Sequence, residues 1–195
     1  MGAFFTKSHK IYIMKSLKYF AIALFALVMT ACASDDSSNS NSYENNITIE
    51  ASTYPMNSAL LETSFNSVFL NLTNITEAQI EDSFSGVTIN NVDLFSIQIN
   101  DFDFTPNSTY DLSEISSLEF IVNGSIVGGE YEDGFFQFYK SGSNSNLEIT
   151  EGSLTIIDYD VDGIQLTFTF TRADGEEISG AYEGAFIYIN NTDFD

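Results

Sequence analysis

From residue 47 onward, apolar and polar residues alternate with a period of two. Ile47, Ile49 and Ala51 fall on one face of the first such stretch, Val68, Leu70 and Leu72 on one face of the second, and Phe95, Ile97 and Ile99 on one face of the third. Leu118, Phe120 and Val122 repeat the pattern, and Phe136 and Phe138 do so in "GFFQFY". The clearest case is "GIQLTFTFT", where Ile164, Leu166, Phe168 and Phe170 point one way and Gln165, Thr167, Thr169 and Thr171 the other. An apolar face of β-branched and aromatic residues backed by a polar face is the mark of a half-buried antiparallel strand. In "NDFDF", Asp101 and Asp103 alternate with Phe102 and Phe104, which predicts one more strand with a wet face.

Two turns order the end of the chain. Asp162-Gly163 stands between "SLTIIDY" and "IQLTFTF", and Asp174-Gly175 between "TFTFT" and "EISGAYEGAFIYI". Asp-Gly between alternating runs favours a tight hairpin, so the last three strands are expected to form a meander. Only "TEAQIEDSF" departs from the strand pattern. Its Thr76 and Gln79 have capping-box spacing and predict a helix of at most about two turns. No other segment sustains a 3.6-residue period. The expected class is all-β, an antiparallel β-sandwich or barrel with a C-terminal meander and at most one short helix.

The N-terminal region follows a different plan. Lys15 and Lys18 precede an apolar run of 11 residues, 19–29, and the small residues Thr30 and Ala31 lead to Cys32, the only cysteine. Positive, apolar, small is the order of a secretory signal peptide. The run is shorter than the roughly 20 residues that span a bilayer. An initiator at Met14 would place both lysines directly before the run. The expected organisation is a signal peptide over residues 1–31, a tether over 32–46 and one β domain over 47–195. The tether, "ASDDSSNSNSYENN" after Cys32, has one aromatic residue and no aliphatic side chain larger than alanine, too little to build a core, so it is expected to be flexible.

Charge narrows the chemistry. Four of the six basic residues lie in the first 31, which hold no acid. Residues 32–195 therefore carry Lys140 and Arg172 against 28 acids, a formal charge of −26. The single histidine, His9, also lies outside them. Without histidine, and with Cys32 as the only thiol, Ser-His and Cys-His nucleophile pairs and His- or Cys-ligated zinc sites are excluded. Two cations make a nucleic-acid groove untenable. Carboxylate chemistry remains: a hard cation such as calcium, or the paired carboxylates of a glycosidase.

"MTAC", residues 29–32, resembles a bacterial lipobox. That resemblance implies cleavage before Cys32 and lipidation of its sulfur, hence a membrane anchor. "CASDD" is similar to the export signal of surface-exposed lipoproteins of the Bacteroidota. The segments "YPMNSALLE", "GSLTIIDYD" and "IQLTFTFTRADGEEISGAYEGAFIYI" resemble a group of small lipoproteins of the same phylum that end in a D-G-x-x-I-x-G-x-Y-x-G hairpin. Here that signature is Asp174, Gly175, Ile178, Gly180, Tyr182 and Gly184. The resemblance implies a β-rich, lipid-anchored domain on the outer membrane, and neither an activity nor catalytic residues. Gly180, Tyr182 and Gly184 share one strand face, where glycines beside a ring make room for close packing.

One motif touches metal chemistry. Asp158, Asp160, Asp162 and Gly163 match the first half of a calcium loop, D-x-D-x-D-G. Position 12 of such a loop must be a bidentate carboxylate, and here it is Thr169. The expectation is a hairpin turn with diffuse cation attraction and no dedicated calcium site, and no cofactor. The expected role is a non-catalytic surface module that binds a ligand or partner. A carboxylate-based glycan hydrolase and a lipocalin-like small-ligand carrier are the alternatives. A concave cleft with two carboxyls would favour the hydrolase, and an open barrel mouth the carrier.

Overall fold

In a computed structural model of the chain, residues 44–190 are described, Phe65 and Phe102 excepted. Cys32, the lipobox, the signal segment and most of the tether lie outside the described residues. The order begins β1 (Asn46–Ile49), β2 (Ser52–Pro55), β3 (Ser58–Ser64), β4 (Ser67–Thr73), α1 (Glu77–Phe84) and β5 (Ile89–Ile99). It continues β6 (Ser108–Asp111), β7 (Ile115–Val127), β8 (Glu130–Glu132), β9 (Phe135–Tyr139) and β10 (Ile149–Tyr159). It ends β11 (Ile164–Arg172), β12 (Glu177–Gly184) and β13 (Phe186–Asn190).

The strands form two sheets, ordered β2-β1-β12-β11-β10-β6 and β13-β3-β4-β5-β7-β8, with β9 also on β7. The sheets pack face to face and do not close, so the fold is a sandwich and the barrel alternative falls. The meander β10-β11-β12 is present. So is the helix, capped reciprocally as its spacing predicts: Gln79 N–H donates to Thr76 Oγ1, and Thr76 N–H to Gln79 Oε1.

The predicted apolar faces make the core. Phe168 of β11 stacks on Phe95 of β5 across the two sheets, 4.6 Å apart and parallel within 1°. Phe138 meets Phe95 edge-on, and Phe120 lies against Phe138. Gly180 of β12 pairs with Phe168. A Cβ at Gly180 would come within 2.2 Å of the Phe168 ring. This glycine therefore leaves the space the ring occupies. Tyr182, buried, donates from its hydroxyl to the Ala185 carbonyl at 2.8 Å and fastens the corner where the chain leaves the first sheet.

Several expectations are corrected. Asn100, Asp101, Asp103 and Phe104 are not in a strand. β5 ends at Ile99 because its partners run out there: Ile99 pairs with Val68, one residue from the start of β4, and with Ile115, the first residue of β7. Phe104 is instead a buried loop residue against Tyr110 and Tyr159. Phe136 and Phe138 do not share a face. A bulge opposite Phe120 and Ile121 makes Gln137 an extra residue, so Phe138 is fully buried while Phe136 is 46% exposed. Ala51 lies in a turn after β1, which Glu50 enters with φ 54°. Finally, "EISGAYEGAFIYI" is not one strand. It breaks after Gly184, and β13 crosses to the second sheet, where it runs parallel to β3; every other strand pair among the described residues is antiparallel, and only an isolated bridge between Tyr139 and Glu148 is also parallel.

Both Asp-Gly hairpins form, by different means. At the second, Gly175 N–H donates to the Arg172 carbonyl at 2.8 Å and Arg172 N–H to Glu176 at 2.9 Å. Gly175 takes φ +90°, the left-handed residue that a three-residue hairpin loop requires. At the first, Gly163 is not in the left-handed region. The loop has four residues and is built by the Asp160 side chain, whose Oδ1 accepts from the N–H groups of Asp162 at 2.8 Å and Gly163 at 3.1 Å.

Candidate functional site

The Asp160 turn stands at one end of the sandwich with a cleft on each side. The crossover of β13 creates the larger one. By leaving the first sheet at Ala185, the chain brings Phe186 onto Tyr159, with ring centres 5.7 Å apart and 27° between planes. Tyr188, two residues on, is half exposed, and its hydroxyl is hydrogen-bonded to that of Thr63 on β3. Asp103 comes in from the loop after β5. It accepts from the Phe104 amide at 2.9 Å and from the Tyr159 hydroxyl. Burial raises the Tyr159 pKa, and Asp103 adds to the effect. These residues, with Asp160 and Val161, line a cleft of about 420 Å³, within the ~300–1,000 Å³ typical of small-ligand sites. Val161, at the tip of the turn, is 94% exposed.

The second cleft, about 320 Å³, holds the predicted acidic motif: Asp158, Asp160 and Asp162, joined by Gln165 and Glu183. The structure thus brings the three aspartates to one place, with Asp160 shared between the clefts. One Asp160 oxygen is committed to the turn, and Asp158 Oδ1 accepts from the Tyr159 amide. Among the described residues, no group of three or more acidic, histidine or cysteine side chains is arranged to hold a metal ion. Calcium titration calorimetry in about 0.15 M salt should therefore give no one-to-one isotherm tighter than ~10⁻⁴ M, the range of extracellular calcium modules. A tight isotherm lost in Asp160→Asn would contradict this.

A third concavity, about 150 Å³, runs between α1 and the outer face of the second sheet. Leu60, Ile80, Phe84, Val92 and Leu94 make it mainly apolar, and Tyr131 closes one side. Beside it lie the carboxyls with weakened acidity. Burial raises the pKa of Asp93, partly offset by the Asn123 amide, and burial also raises Glu119. The Tyr131 hydroxyl is pushed up to about 12 by burial, with the charges of Asp93 and Glu119 adding to it. Such shifts can mark acid–base chemistry, but here burial accounts for them, and the hydrogen bonds of Asp93 and Tyr131 are structural. Asp93 Oδ1 accepts from Asn123 N–H at 3.0 Å, its Oδ2 from Asn74 Nδ2 at 3.3 Å, and Tyr131 donates to the Val92 carbonyl at 3.0 Å. The network ties the bulges of β5 and β7, where Asn91 and Asn123 both have positive φ.

These shifts have a pH consequence. A carboxyl raised on folding contributes stability that is complete below the usual carboxylate range and is lost as pH rises through its folded value. Asp93 and Glu119 therefore favour the folded state as pH falls from neutral toward the ordinary carboxylate range of about 4. Asp174 acts oppositely. The Arg172 guanidinium holds its pKa low, so its contribution is lost as pH falls below the ordinary aspartate value of about 3.9. Thermal midpoints should rise from pH 7.5 to about pH 5 and drop in strong acid. Asp93→Asn should flatten the rise, and high salt, which screens general repulsion among 28 acids, should not abolish Asp93's share. An unchanged profile in Asp93→Asn would contradict the assignment.

Sequence reasoning singled out Asp158, Asp160 and Asp162, and Asp103 only as the wet side of a strand. It missed Tyr159, Val161, Phe186 and Tyr188 as a group, because a crossover strand assembles them. Val161 was the available signal, since an apolar side chain at the tip of an acidic turn has nothing of its own to bury. Comparison with known protein families, curated proteins and solved structures gives no match to this chain.

Proposed function

We propose that this chain is an outer-membrane lipoprotein, anchored through Cys32 and facing the cell exterior, whose sandwich is a non-catalytic binding module with the Val161 cleft as its ligand site. The observation that carries the binding reading is the cleft itself: three aromatic rings and two carboxylates beside a 94% exposed valine, outside a core that is already filled. The lipobox and the polar tether after it support the anchor.

Asp103 and Asp160 line one cleft, the feature that would favour a glycan hydrolase. A glycosidase also needs a carboxyl that holds its proton near neutral pH. The carboxyls raised by burial, Asp93 and Glu119, belong instead to the network beside α1. The carrier alternative needs a barrel with an open mouth, whereas Phe95, Phe120, Phe138 and Phe168 fill the space between two open sheets. Fractionation of cells making Cys32→Ala tests the anchor. The native chain should sediment with the outer membrane and carry acyl groups by mass spectrometry, and the variant should be released. A variant that stays membrane-bound would refute the anchor.

A further inference from the structure

We infer that the cleft formed by Asp103, Tyr159, Asp160, Val161, Phe186 and Tyr188 binds an organic cation of the ammonium class. The inference rests on the reading of this cleft as a ligand site and adds the chemistry of its ligand.

The balance of donors and acceptors favours a cation. Among the described residues, the side chains lining the cleft offer two carboxylates and three aromatic rings, and no cationic group. Both tyrosine hydroxyls are already engaged, Tyr159 with Asp103 and Tyr188 with Thr63. The two cations of residues 32–195 are held elsewhere. Lys140 Nζ donates to the carbonyls of Leu112 and Ile115. Arg172 is bound by Asp174 and Glu50 and donates to the Gln137 carbonyl. An anionic ligand would meet carboxylates with nothing to offset them. A neutral sugar would find acceptors for its hydroxyl protons and rings to stack on, but would leave both carboxylate charges uncompensated. A cation fits both features, since its charge is complementary to the carboxylates and aromatic rings attract cations through their negative faces.

The cleft suits an organic cation better than a metal ion. A calcium ion demands six to eight oxygens at one point, and no three acidic groups here converge in that way. Aromatic walls suit a large, weakly hydrated cation, and the valine methyl groups at the rim suit its alkyl substituents. The cleft is also preorganised. Tyr188 is fixed by Thr63, and Tyr159 is fixed by Asp103 and stacked on Phe186, so little side-chain entropy is lost on binding. The field adds to all of this. Asp158, Asp162 and Glu183 line the adjoining cleft, and the net charge of residues 32–195 is −26, which raises the local concentration of cations around a site.

Calorimetric titration of the full chain in neutral detergent, at about 0.15 M salt, with choline and with its neutral isostere in which carbon replaces the nitrogen, tests this. Choline should bind at one site, at least about tenfold tighter than the isostere, and Asp160→Asn should weaken it by about tenfold or more. Tyr188→Ala, which leaves the Asp160 turn intact, should abolish the isotherm. If the isostere binds as well as choline and is lost in Tyr188→Ala, the cleft is a ligand site and the cation inference is overturned. If choline binds equally to native chain and Tyr188→Ala, the attraction is diffuse and the inference is likewise overturned. Absence of choline binding to the native chain overturns it outright.

Discussion

Gly152→Ala should cost this domain more than any other single methyl group. Gly152 follows the bulge at Thr150 of β10 and pairs with Phe170 of β11, with φ +130°. A Cβ there would lie 2.2 Å from the Thr169 carbonyl oxygen and 2.6 Å from the Phe170 Cα. Both atoms are backbone, so no rotamer change relieves the contact. Either the two strands part in the middle of the first sheet or the bulge is lost and the register of β10 shifts. Backbone strain of about 1–3 kcal/mol and overpacking of about 1–3 kcal/mol act together, which gives roughly 2–6 kcal/mol. At about 2–4 °C per kcal/mol for a domain of this size, the thermal midpoint should fall by roughly 5–20 °C. Gly175→Ala is the control. It has φ +90° and nothing within 4 Å of the added carbon, so only the backbone term of about 1 kcal/mol applies. Equal losses in the two variants, measured by thermal or denaturant unfolding, would show that the close approach at Gly152 is not what constrains the position.

Phe138→Ala and Phe136→Ala should differ sharply, although strict alternation would make them equivalent. Phe138 is fully buried between Phe95 and Phe120, with ring centres 6.2 and 5.7 Å away. Its removal leaves a cavity where the two sheets meet and should cost about 3–5 kcal/mol. That is a large share of the 5–15 kcal/mol by which domains are usually stable. Phe136 lies on the other side of the bulge, 46% exposed, with its ring against Tyr139. Its loss should cost about 1 kcal/mol or less. Urea unfolding of the two variants measures the difference directly, and similar midpoints would contradict the bulge at Gln137.

Those two positions also show what the pattern of residues conveys and what it conceals. Ile164, Leu166, Phe168 and Phe170 are buried as their alternation requires, because β11 is flanked by partners along its whole length. Thr76 and Gln79 announce the helix because a cap is a local structure made by side chains three residues apart. Non-local pairings leave no such trace. Nothing in Phe186, Tyr188 or their neighbours states that β13 will lie parallel to β3, more than a hundred residues earlier. Nor does "NDFDF" state that its neighbouring strands stop at Ile99. The cleft inherits this limit. Asp160 was legible as part of a turn and Asp103 was not, and the aromatic walls became neighbours only through the crossover at Ala185. The Gly180 and Tyr182 signature, in turn, resolves into packing: one residue makes room for the Phe168 ring and the other fastens the corner.

We propose that the end of the sandwich around Val161 is where this protein meets its ligand. The most direct test is a nuclear magnetic resonance titration of the full chain, in neutral detergent, with choline and separately with glucose, following the Val161 methyl groups and the rings of Tyr159, Phe186 and Tyr188. The account predicts saturable shifts from choline confined to these groups and the adjoining Asp160 turn, with the methyl and ring signals around Ile80, Phe84 and Leu94 unmoved. Shifts centred on the groove beneath α1 instead, or no saturable shift at Val161 and Tyr188 with either compound, would contradict it.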